Sequence, residues 1–436
     1  MVASEATLKC IQSSFYSFDL GSTFSKKAPL LLISLFGNAL EYFEYTIYGF
    51  LAPVLALHFF PSNNPTTSLI KAFGIIAVAS FAKPLGALIF GYLGDTKGRS
   101  VTLRYTMIGI AIPTFIVGVL PGYDGWGFLA VALLVICRIF QGIFMSAESD
   151  GVRIYVFEHF GQKRPCLTSA FISCSAYTGI GLAALVASHI PSEGDAWRWV
   201  FFGSASCGLL IYLLRRHLAE TPAFLKLQQN PEKVTSLTNI LKTRWASLIR
   251  TILICGAVGG VYHFYFVFQG TFLSRILHLI SPEFASKLSL YLIVLYVFTL
   301  PLAGWASDRW GYTRVGKIGG IITLGFAIIN LINIFDGAVS LPIMALTTFS
   351  MAFFVAPAYL FLTQQYDVNI RFRCLSLGHA LGSMIFSGTT PVICLSLWQI
   401  TGLTYAPFAY FLFLITIGTI AFIWRAKQNA YNAWFL

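Results

Sequence analysis

The sequence predicts an all-α membrane protein with twelve transmembrane helices in two six-helix half-bundles. The chain has 436 residues, of which 57% are hydrophobic and only 11% are charged. A soluble domain carries about 25% charged residues, so a chain with so few of them could not cover a soluble surface. The 40 Phe, 20 Tyr and 9 Trp exclude a disordered chain. Long, unbroken apolar stretches are typical of membrane helices and not of barrel strands.

Twelve apolar stretches are long enough to cross the hydrocarbon core, which takes about 20 residues of helix. We number the predicted spans 1 to 12 at 30–59, 70–93, 102–121, 126–157, 166–190, 198–216, 247–274, 285–306, 314–334, 340–364, 374–398 and 404–425. The predicted domains are a cytoplasmic tail, a first bundle, a cytoplasmic central loop, a second bundle and a short cytoplasmic tail, at 1–29, 30–216, 217–246, 247–425 and 426–436.

The 29 Lys and Arg residues are distributed very unevenly between the two sets of loops. When both termini are placed inside, the outer loops receive only Lys71, Arg198, Arg275 and Lys287. Positive residues concentrate in cytoplasmic loops, so this distribution predicts cytoplasmic termini. We expect a multi-pass protein of the bacterial inner (cytoplasmic) membrane.

Two similar inner loops occur at matching places in the two halves. GYLGDTKGR follows span 2 at 91–99, and GWASDRWGYTR follows span 8 at 304–314, so that Asp95 and Asp308 are about half a chain length apart. Six spans plus six, with a repeated loop, indicate two half-bundles in parallel orientation.

The first of these loops resembles the signature G-x-L-x-D-x-x-G-R of the major facilitator superfamily, with Gly91, Leu93, Asp95, Gly98 and Arg99 at its fixed positions. Further segments resemble the metabolite:proton symporters, which include carriers of osmoprotectants, shikimate, citrate and 2-oxoglutarate. These segments are GNALEYFEYTIYG (37–49), AKPLGALIFGYLGD (82–95), RIFQGIFMSAESDG (138–151) and LGHALGSMIFSGTTP (377–391).

The chain departs from that group at several charged positions inside the spans. Lys83 stands for the usual Arg, Glu44 for Asp, and His379 with Ala380 for Tyr-Asn. Asp150 and Arg153 replace small residues, and their spacing of three predicts that they pair with each other.

The resemblance implies the major facilitator fold and a secondary active transporter. We expect import of a small organic acid or zwitterion together with protons, by alternating access. The alternatives are a proton-coupled exporter and a proton-independent facilitator of the same solutes. An enzyme is not expected, because the metalloprotease, serine-hydrolase and P-loop motifs do not occur in the sequence. No cofactor or metal is predicted. The expected partners are the solute, the proton and the bilayer, without nucleic acid, and the chain is expected to be a monomer.

Three carboxylates within the spans are candidates for the proton site, since a charge at the bilayer centre is costly and marks a pathway or an ion pair. Glu41 and Glu44 share a polar face of span 1 with Asn38, Tyr45 and Tyr48. Glu148 shares a face of span 4 with Arg138 and Gln141, which would keep it charged. Glu44 is therefore the preferred carrier, with Glu41 as its neighbour; the alternative is that either one is a fixed partner of Lys83 or Arg138.

The candidate solute ligands are the polar and aromatic side chains of both halves, although each could instead serve in packing. They are Asn38, Tyr45, Tyr48, Lys83, Arg138, Gln141, Tyr262, His263, Gln269 and His379. By resemblance, Asp95, Arg99, Glu158 and Arg164 belong to an inner charge cluster that latches the halves together in the outward-facing state. Asp308, in the second copy of the loop, is the further gating candidate.

Overall fold

The computed structural model describes residues 23–62, 65–160, 164–191, 194–229 and 236–424, and every regular element in these ranges is a helix. The predicted tails therefore fall largely outside the described residues, as does the middle of the central loop. We label the long helices α1 to α12. Their bounds are Thr23–Phe50, Pro65–Thr96, Arg99–Val119, Phe128–Phe160, Pro165–Ser188, Ala196–Arg215, Leu237–Ile276, Pro282–Trp310, Tyr312–Phe335, Leu341–Thr363, Arg371–Thr401 and Ala406–Ile423.

The predicted fold class is confirmed. Within the described residues, 11 helices are long and apolar enough to cross a membrane. The remaining predicted span, span 1, corresponds to α1, which has 28 residues and contains Glu41 and Glu44, and to the short helix Ala52–Phe59 that follows it. Two further short helices, Tyr123–Trp126 and Pro222–Gln229, lie in connections.

The two copies of the inner loop form similar tight turns. α3 begins after Gly98, whose φ is 116°, and α9 begins after Gly311, whose φ is 91°. Glycine adopts such positive φ values at little cost because it has no Cβ. Each turn thereby leaves the aspartate of its loop, Asp95 or Asp308, close to the inner end of the preceding helix.

The halves meet along two seams, one between α5 and α8 and the other between α2 and α11. Within the first half, α1 packs on α5, α2 on α4, and α3 on both α4 and α6. Within the second half, α7 packs on α11 and α12, and α9 packs on α10 and α12. Each seam thus joins one helix of the first half to one of the second.

Two helices of the second half depart from regular α-helical geometry. α7 contains π-helical segments at His263–Phe268 and Phe272–Ile276, and α11 contains one at Ser383–Ser387. Within the described residues, π-helix occurs only in this half. Such segments are rare and are often found at functional sites.

Candidate functional site

A small cavity lies between the halves, with a volume of about 60 Å³. Of the residues predicted for the site, those lining the cavity are Glu41, Tyr45, Lys83, Tyr262, His263 and His379. The sequence analysis did not single out several other lining residues, namely Tyr42, Ser149, Tyr177, Tyr359, Ser383 and Ser387.

Lys83 extends from α2 towards α11 across the cavity. Its ammonium lies 4.2 Å from the ring centre of Tyr45 and donates a hydrogen bond of 3.2 Å to Ser383 Oγ. The tyrosine face provides a cation–π contact. Lys83 forms no ion pair within the described residues.

Glu41 faces the same cavity from α1 and is 6% exposed. Its Oε2 atom has no hydrogen-bond partner within the described residues. Buried polar groups are nearly always hydrogen-bonded, and those that are not need an explanation. An unpartnered carboxylate oxygen beside a cavity suits either a proton or a cationic ligand.

His263 and Tyr262 line the cavity from the start of the first π-helical segment. His263 Nδ1 lies 2.9 Å from the Gly259 carbonyl oxygen and 3.0 Å from Ser387 Oγ. The rings of His263 and Tyr45 meet edge to face, with centroids 5.5 Å apart. This imidazole is therefore held between α7, α11 and α1.

Five predicted solute ligands lie outside the cavity lining. Asn38 is buried against α5, where its amide donates to Ile172 O at 3.0 Å and to Ser175 Oγ at 2.8 Å. Gln269 is buried in α7, and neither polar atom of its amide has a partner within the described residues. The other three, Tyr48, Arg138 and Gln141, belong to a network inside the first half.

That network surrounds Glu44. Its carboxylate accepts hydrogen bonds from Ser204 Oγ at 2.8 Å and from Thr114 Oγ1 at 3.1 Å. Thr114 accepts in turn from the Gln141 amide at 2.7 Å, and the Gln141 carbonyl oxygen accepts from Arg138 at 3.0 Å. Glu44 is thus held by hydroxyl groups inside the first half and does not line the central cavity.

The partner expected for Glu148 was wrong. Its carboxylate pairs with Arg215 of α6 at 2.5 Å and accepts a hydrogen bond from Thr106. The guanidinium of Arg138 instead bonds Gln141 and covers the ring of Tyr48 at 4.5 Å. Both members of the Glu148–Arg215 pair have fully buried side chains, so the pair fixes α4 against α6.

The expected pairing of Asp150 with Arg153 was also wrong. Asp150 accepts a hydrogen bond from His379 Nδ1 in α11, with both carboxylate oxygens 3.0 Å away. The guanidinium carbon of Arg153 lies 3.4 Å from the ring centre of Tyr359 in α10. A spacing of three along a helix makes a pair possible, but here both side chains have alternative partners in the opposite half.

The inner ends of the helices carry the charge cluster. Glu158 lies between Arg99 of the first half and Arg371 of the second, with closest N–O distances of 3.4 Å to each. Thr221 Oγ1 donates to the same carboxylate at 2.5 Å, and Arg99 also donates to Val368 O at 3.0 Å. This cluster joins the halves across the inner side.

Asp95 closes one seam. It accepts hydrogen bonds from the backbone N–H groups of Phe372 and Arg373, each at 3.2 Å, and pairs with the Arg373 side chain at 3.0 Å. Asp308 does the same at the other seam, where the backbone N–H groups of Cys166 and Leu167 donate to it at 2.8 and 3.0 Å.

Not every predicted gating residue joins the cluster. Arg164 is exposed at the start of α5, and its side chain has no partner within the described residues. The sequence analysis did not single out Arg371 and Arg373, which it counted only among the 29 Lys and Arg residues that set the topology. It also missed Glu220, which accepts from the backbone N–H groups of Arg99 and Ser100 at the start of α3. For Arg371 and Arg373, the signal available in the sequence was that basic residues stand directly before span 11.

The halves are separated at the outer side. One cleft of about 910 Å³ lies between residues such as Pro53 and Ser68 of the first half and Ser274 and Ser281 of the second. A second cleft of about 700 Å³ extends from Phe50 towards α5 and α8. The halves are therefore joined on the side of the charge cluster and separated by clefts on the opposite side.

Comparisons with known proteins agree with this architecture. Residues 34–371 match the sequence profile of the Major Facilitator Superfamily. The proline/betaine transporter of Escherichia coli strain K12 is 28% identical over 405 residues, which cover 88% of this chain and 80% of the relative. The citrate-proton symporter of Klebsiella pneumoniae is 26% identical over 404 residues, or 90% of each chain.

Solved structures have the same fold. A structure of the proton:xylose symporter XylE bound to 6-bromo-6-deoxy-D-glucose superposes with a TM-score of 0.72. The alignment covers 92% of this chain and 95% of the other at 17% identity. An identity this low supports the fold and nothing about the solute.

Proposed function

The chain belongs to the major facilitator superfamily, and from this membership we propose that it imports a small zwitterionic metabolite together with protons by alternating access. It is a secondary active transporter and not an enzyme. The single observation that carries the solute class is that Lys83 and Glu41, one cation and one carboxylate, face the same small cavity.

The cavity has complementary groups for both ends of a zwitterion. The Lys83 ammonium, which has no ion-pair partner within the described residues, suits a solute carboxylate. The Glu41 side chain, whose oxygen can accept a hydrogen bond in either protonation state, and the faces of Tyr42 and Tyr177 suit an ammonium group, since aromatic rings attract cations within about 6 Å of their centres. Relatives named for transport of proline and betaine support this class.

A multiply charged organic acid is the second candidate. Lys83, Arg153 and His379 all border the cavity, and three nitrogen-based groups could bind more than one carboxylate. A relative named as a citrate-proton symporter supports this candidate. We favour the zwitterion because the cavity is small and because the rings of Tyr42 and Tyr177 border it.

We propose Glu41 as the preferred site of the transported proton. Glu41 faces the cavity, whereas Glu44 accepts hydrogen bonds inside the first half and Glu148 is paired with Arg215. Glu44 remains the second candidate, because it lies three residues further along the same helix and forms no ion pair within the described residues.

We further propose that both termini lie in the cytoplasm, that the chain functions as a monomer, and that the predicted bundles 30–216 and 247–425 are the two moving bodies. The concentration of Lys and Arg in one set of loops supports the orientation. In this orientation the joined side of the molecule is the cytoplasmic side, so the external solute would enter through the outer clefts.

Transport into proteoliposomes tests the proposed function. Glycine betaine, proline and citrate are supplied separately under an inward proton gradient, with and without a protonophore. We expect accumulation of a zwitterion that collapses with the protonophore. Accumulation of citrate alone would favour the second candidate, and accumulation that persists without a proton gradient would contradict proton coupling.

Two lysine variants of α2 test the solute contact. Lys83→Gln should raise the KM for the accumulated solute by about tenfold or more, because a charge-assisted hydrogen bond contributes about 1.5–3 kcal/mol. Lys71→Gln is the matched control, since Lys71 is exposed on the same helix. Equal KM values for the two variants would contradict the role of Lys83.

A further inference from the structure

The inner side of the central cavity is closed by two contacts between the halves. His379 of α11 bonds Asp150 of α4, and Tyr359 of α10 stacks with Arg153 of α4. All four side chains lie towards the inner ends of their helices, and we call them the cavity floor. Arg371, in the charge cluster at the inner face, precedes His379 by eight residues, or about 12 Å of helix. The floor is therefore a closure separate from that cluster.

Both contacts of the cavity floor must break before a solute can leave on the inner side. Each joins a residue of the first half to a residue of the second, so neither can survive a movement that separates the halves there. Asp150 is fully buried, and the side chain of His379 is 19% exposed. The histidine can thus exchange a proton with water in the cavity while its carboxylate partner stays shielded.

The geometry of His379 makes its contact depend on a proton. Its Nδ1–H donates to Asp150 in the neutral form, and no hydrogen bond to Nε2 is formed within the described residues. A proton on Nε2 converts this hydrogen bond into an ion pair, which is much stronger away from water. Histidine is the side chain whose ordinary titration lies nearest neutral pH.

Other charged and titratable groups act on the same imidazole. Lys83 and Arg153 oppose a positive charge on it, whereas Asp150 and Glu41 favour one. Asp150 dominates because it is the only one of these within hydrogen-bond distance of the ring among the described residues. The groups that face His379 from the helices around it are Glu41 and Tyr42 of α1, Lys83 of α2, Asp150 and Arg153 of α4, His263 of α7, and Tyr359 of α10.

We propose that Asp150 and His379 form a proton-dependent gate at the cavity floor: protonated His379 holds the halves together on the inner side, and loss of the proton allows them to separate. The proton is exchanged with water from whichever side the cavity faces. Acid then favours the state that accepts external solute. The inference rests on the proposed function, since a floor has to open only in a chain that carries a solute through its cavity.

The test measures the conformation directly, without solute. Spin labels are attached to cysteines at Lys97 and Arg309, two exposed inner-face residues of different halves, after Cys10 and Cys207 are replaced by serine. Distances are recorded in lipid nanodiscs at about pH 5.5 and about pH 8, on either side of ordinary histidine titration. For the otherwise unchanged protein we expect the ratio of inner-open to inner-closed molecules to rise about fivefold or more at the higher pH.

Three variants and one control test whether Asp150 and His379 form the gate. His379→Gln and Asp150→Asn should each abolish the pH dependence. His379→Lys, whose side chain ordinarily titrates well above both pH values, should keep the inner side closed at both. His263→Gln is the matched control, because His263 lines the same cavity without a carboxylate partner among the described residues; it should retain the pH dependence. The proposal is overturned if His379→Gln retains the pH dependence. It is also overturned if the labelled protein that keeps both His379 and Asp150 shows no pH dependence.

The proposed gate and the proposed transport function can be contradicted independently. Uptake driven by a proton gradient is measured in parallel with the protein that carries His379. Absence of uptake there overturns the proposed function. The distance measurement needs no solute, so a pH-independent distance in a protein that does accumulate solute overturns the gate alone.

Discussion

Asp95 and Asp308 occupy equivalent positions in the two halves and make the same contact with the opposite half. Each accepts two backbone N–H groups from the second and third residues of a helix across the seam. Asp95 caps the start of α11, and Asp308 caps the start of α5. The positive end of a helix favours a carboxylate at this place. The repeated loop thus closes both seams on the same side.

The variant Asp95→Asn should slow transport without a proportional loss of solute binding. The amide keeps the shape of the side chain but loses its charge and one of its two strong acceptors. This weakens a contact that exists only while the inner side is closed, so the balance between the two states moves towards inner-open molecules. Transport rate and equilibrium binding, measured on the same preparation, check this. Parallel losses of both would contradict it.

Asp308→Asn should change transport in the same direction and by less. Asp308 makes the two backbone contacts, whereas Asp95 also forms an ion pair with Arg373. A larger effect at Asp308 would mean that the α5–α8 seam limits opening. The measurement is the transport rate of each variant, divided by the transport rate of the unmutated protein.

Glu41→Gln should abolish proton-driven accumulation while exchange of labelled for unlabelled solute continues. Exchange needs no net proton movement, and a glutamine can still accept hydrogen bonds from the solute. Counterflow and gradient-driven uptake in proteoliposomes separate the two activities. Accumulation by Glu41→Gln against a solute gradient would exclude Glu41 as the proton site.

Glu44→Gln is the comparison for Glu41. If Glu44 only supports the helices through Ser204 and Thr114, its glutamine variant should retain at least part of its accumulation. If Glu44→Gln loses accumulation while Glu41→Gln retains it, the proton site is Glu44, in the network inside the first half. The same vesicle preparations provide both measurements.

Arg215→Met should destabilise the protein strongly, and the double variant Glu148→Met with Arg215→Met should recover much of the loss. Removing one member of a buried ion pair costs about 3–5 kcal/mol because the remaining charge has no partner, whereas replacing both by apolar residues is often neutral. Thermal denaturation in detergent measures the difference. Similar midpoints for the single and the double variant would show that Glu148 is not held mainly by Arg215.

Gly142→Ala should lower the thermal midpoint and the yield of folded protein. The added Cβ would overlap the carbonyl oxygen of Ala79, where α4 and α2 approach each other. Overpacking of this kind costs about 1–3 kcal/mol. Gly203→Ala is the control, because a Cβ there meets no atom within 4 Å, and alanine is the better helix former. Equal midpoints for the two variants would contradict the close approach.

Hydropathy and the distribution of charges were sufficient to predict the fold class. Spans are set by length and apolarity, which are properties of each segment alone. The repeated loop likewise predicted that Asp95 and Asp308 would have matching positions. Their contacts confirm that symmetry, although the helix starts to which they bind could not be identified from the sequence.

The pairing of charges across helices was less predictable. Helical periodicity places Arg138 and Glu148 on one face of α4, but it does not say which neighbouring helix covers that face. The structure pairs Glu148 with Arg215 and separates Asp150 from Arg153. Helix rotation and packing decide these partners, and a single sequence contains neither directly. For the same reason Glu44, first choice as proton carrier from its polar face, lies away from the central cavity.

The π-helical segments make the two halves mechanically unequal. The first half is cross-braced by the buried Glu148–Arg215 pair and by the hydroxyl network around Glu44, whereas α7 and α11 each contain a stretch whose hydrogen-bond register differs from that of the helix on either side. A stretch of this kind can return to α-helix by shifting register locally, without moving its ends far. Bending of α7 and α11 at these segments would then accompany the movement of the two bundles around the solute.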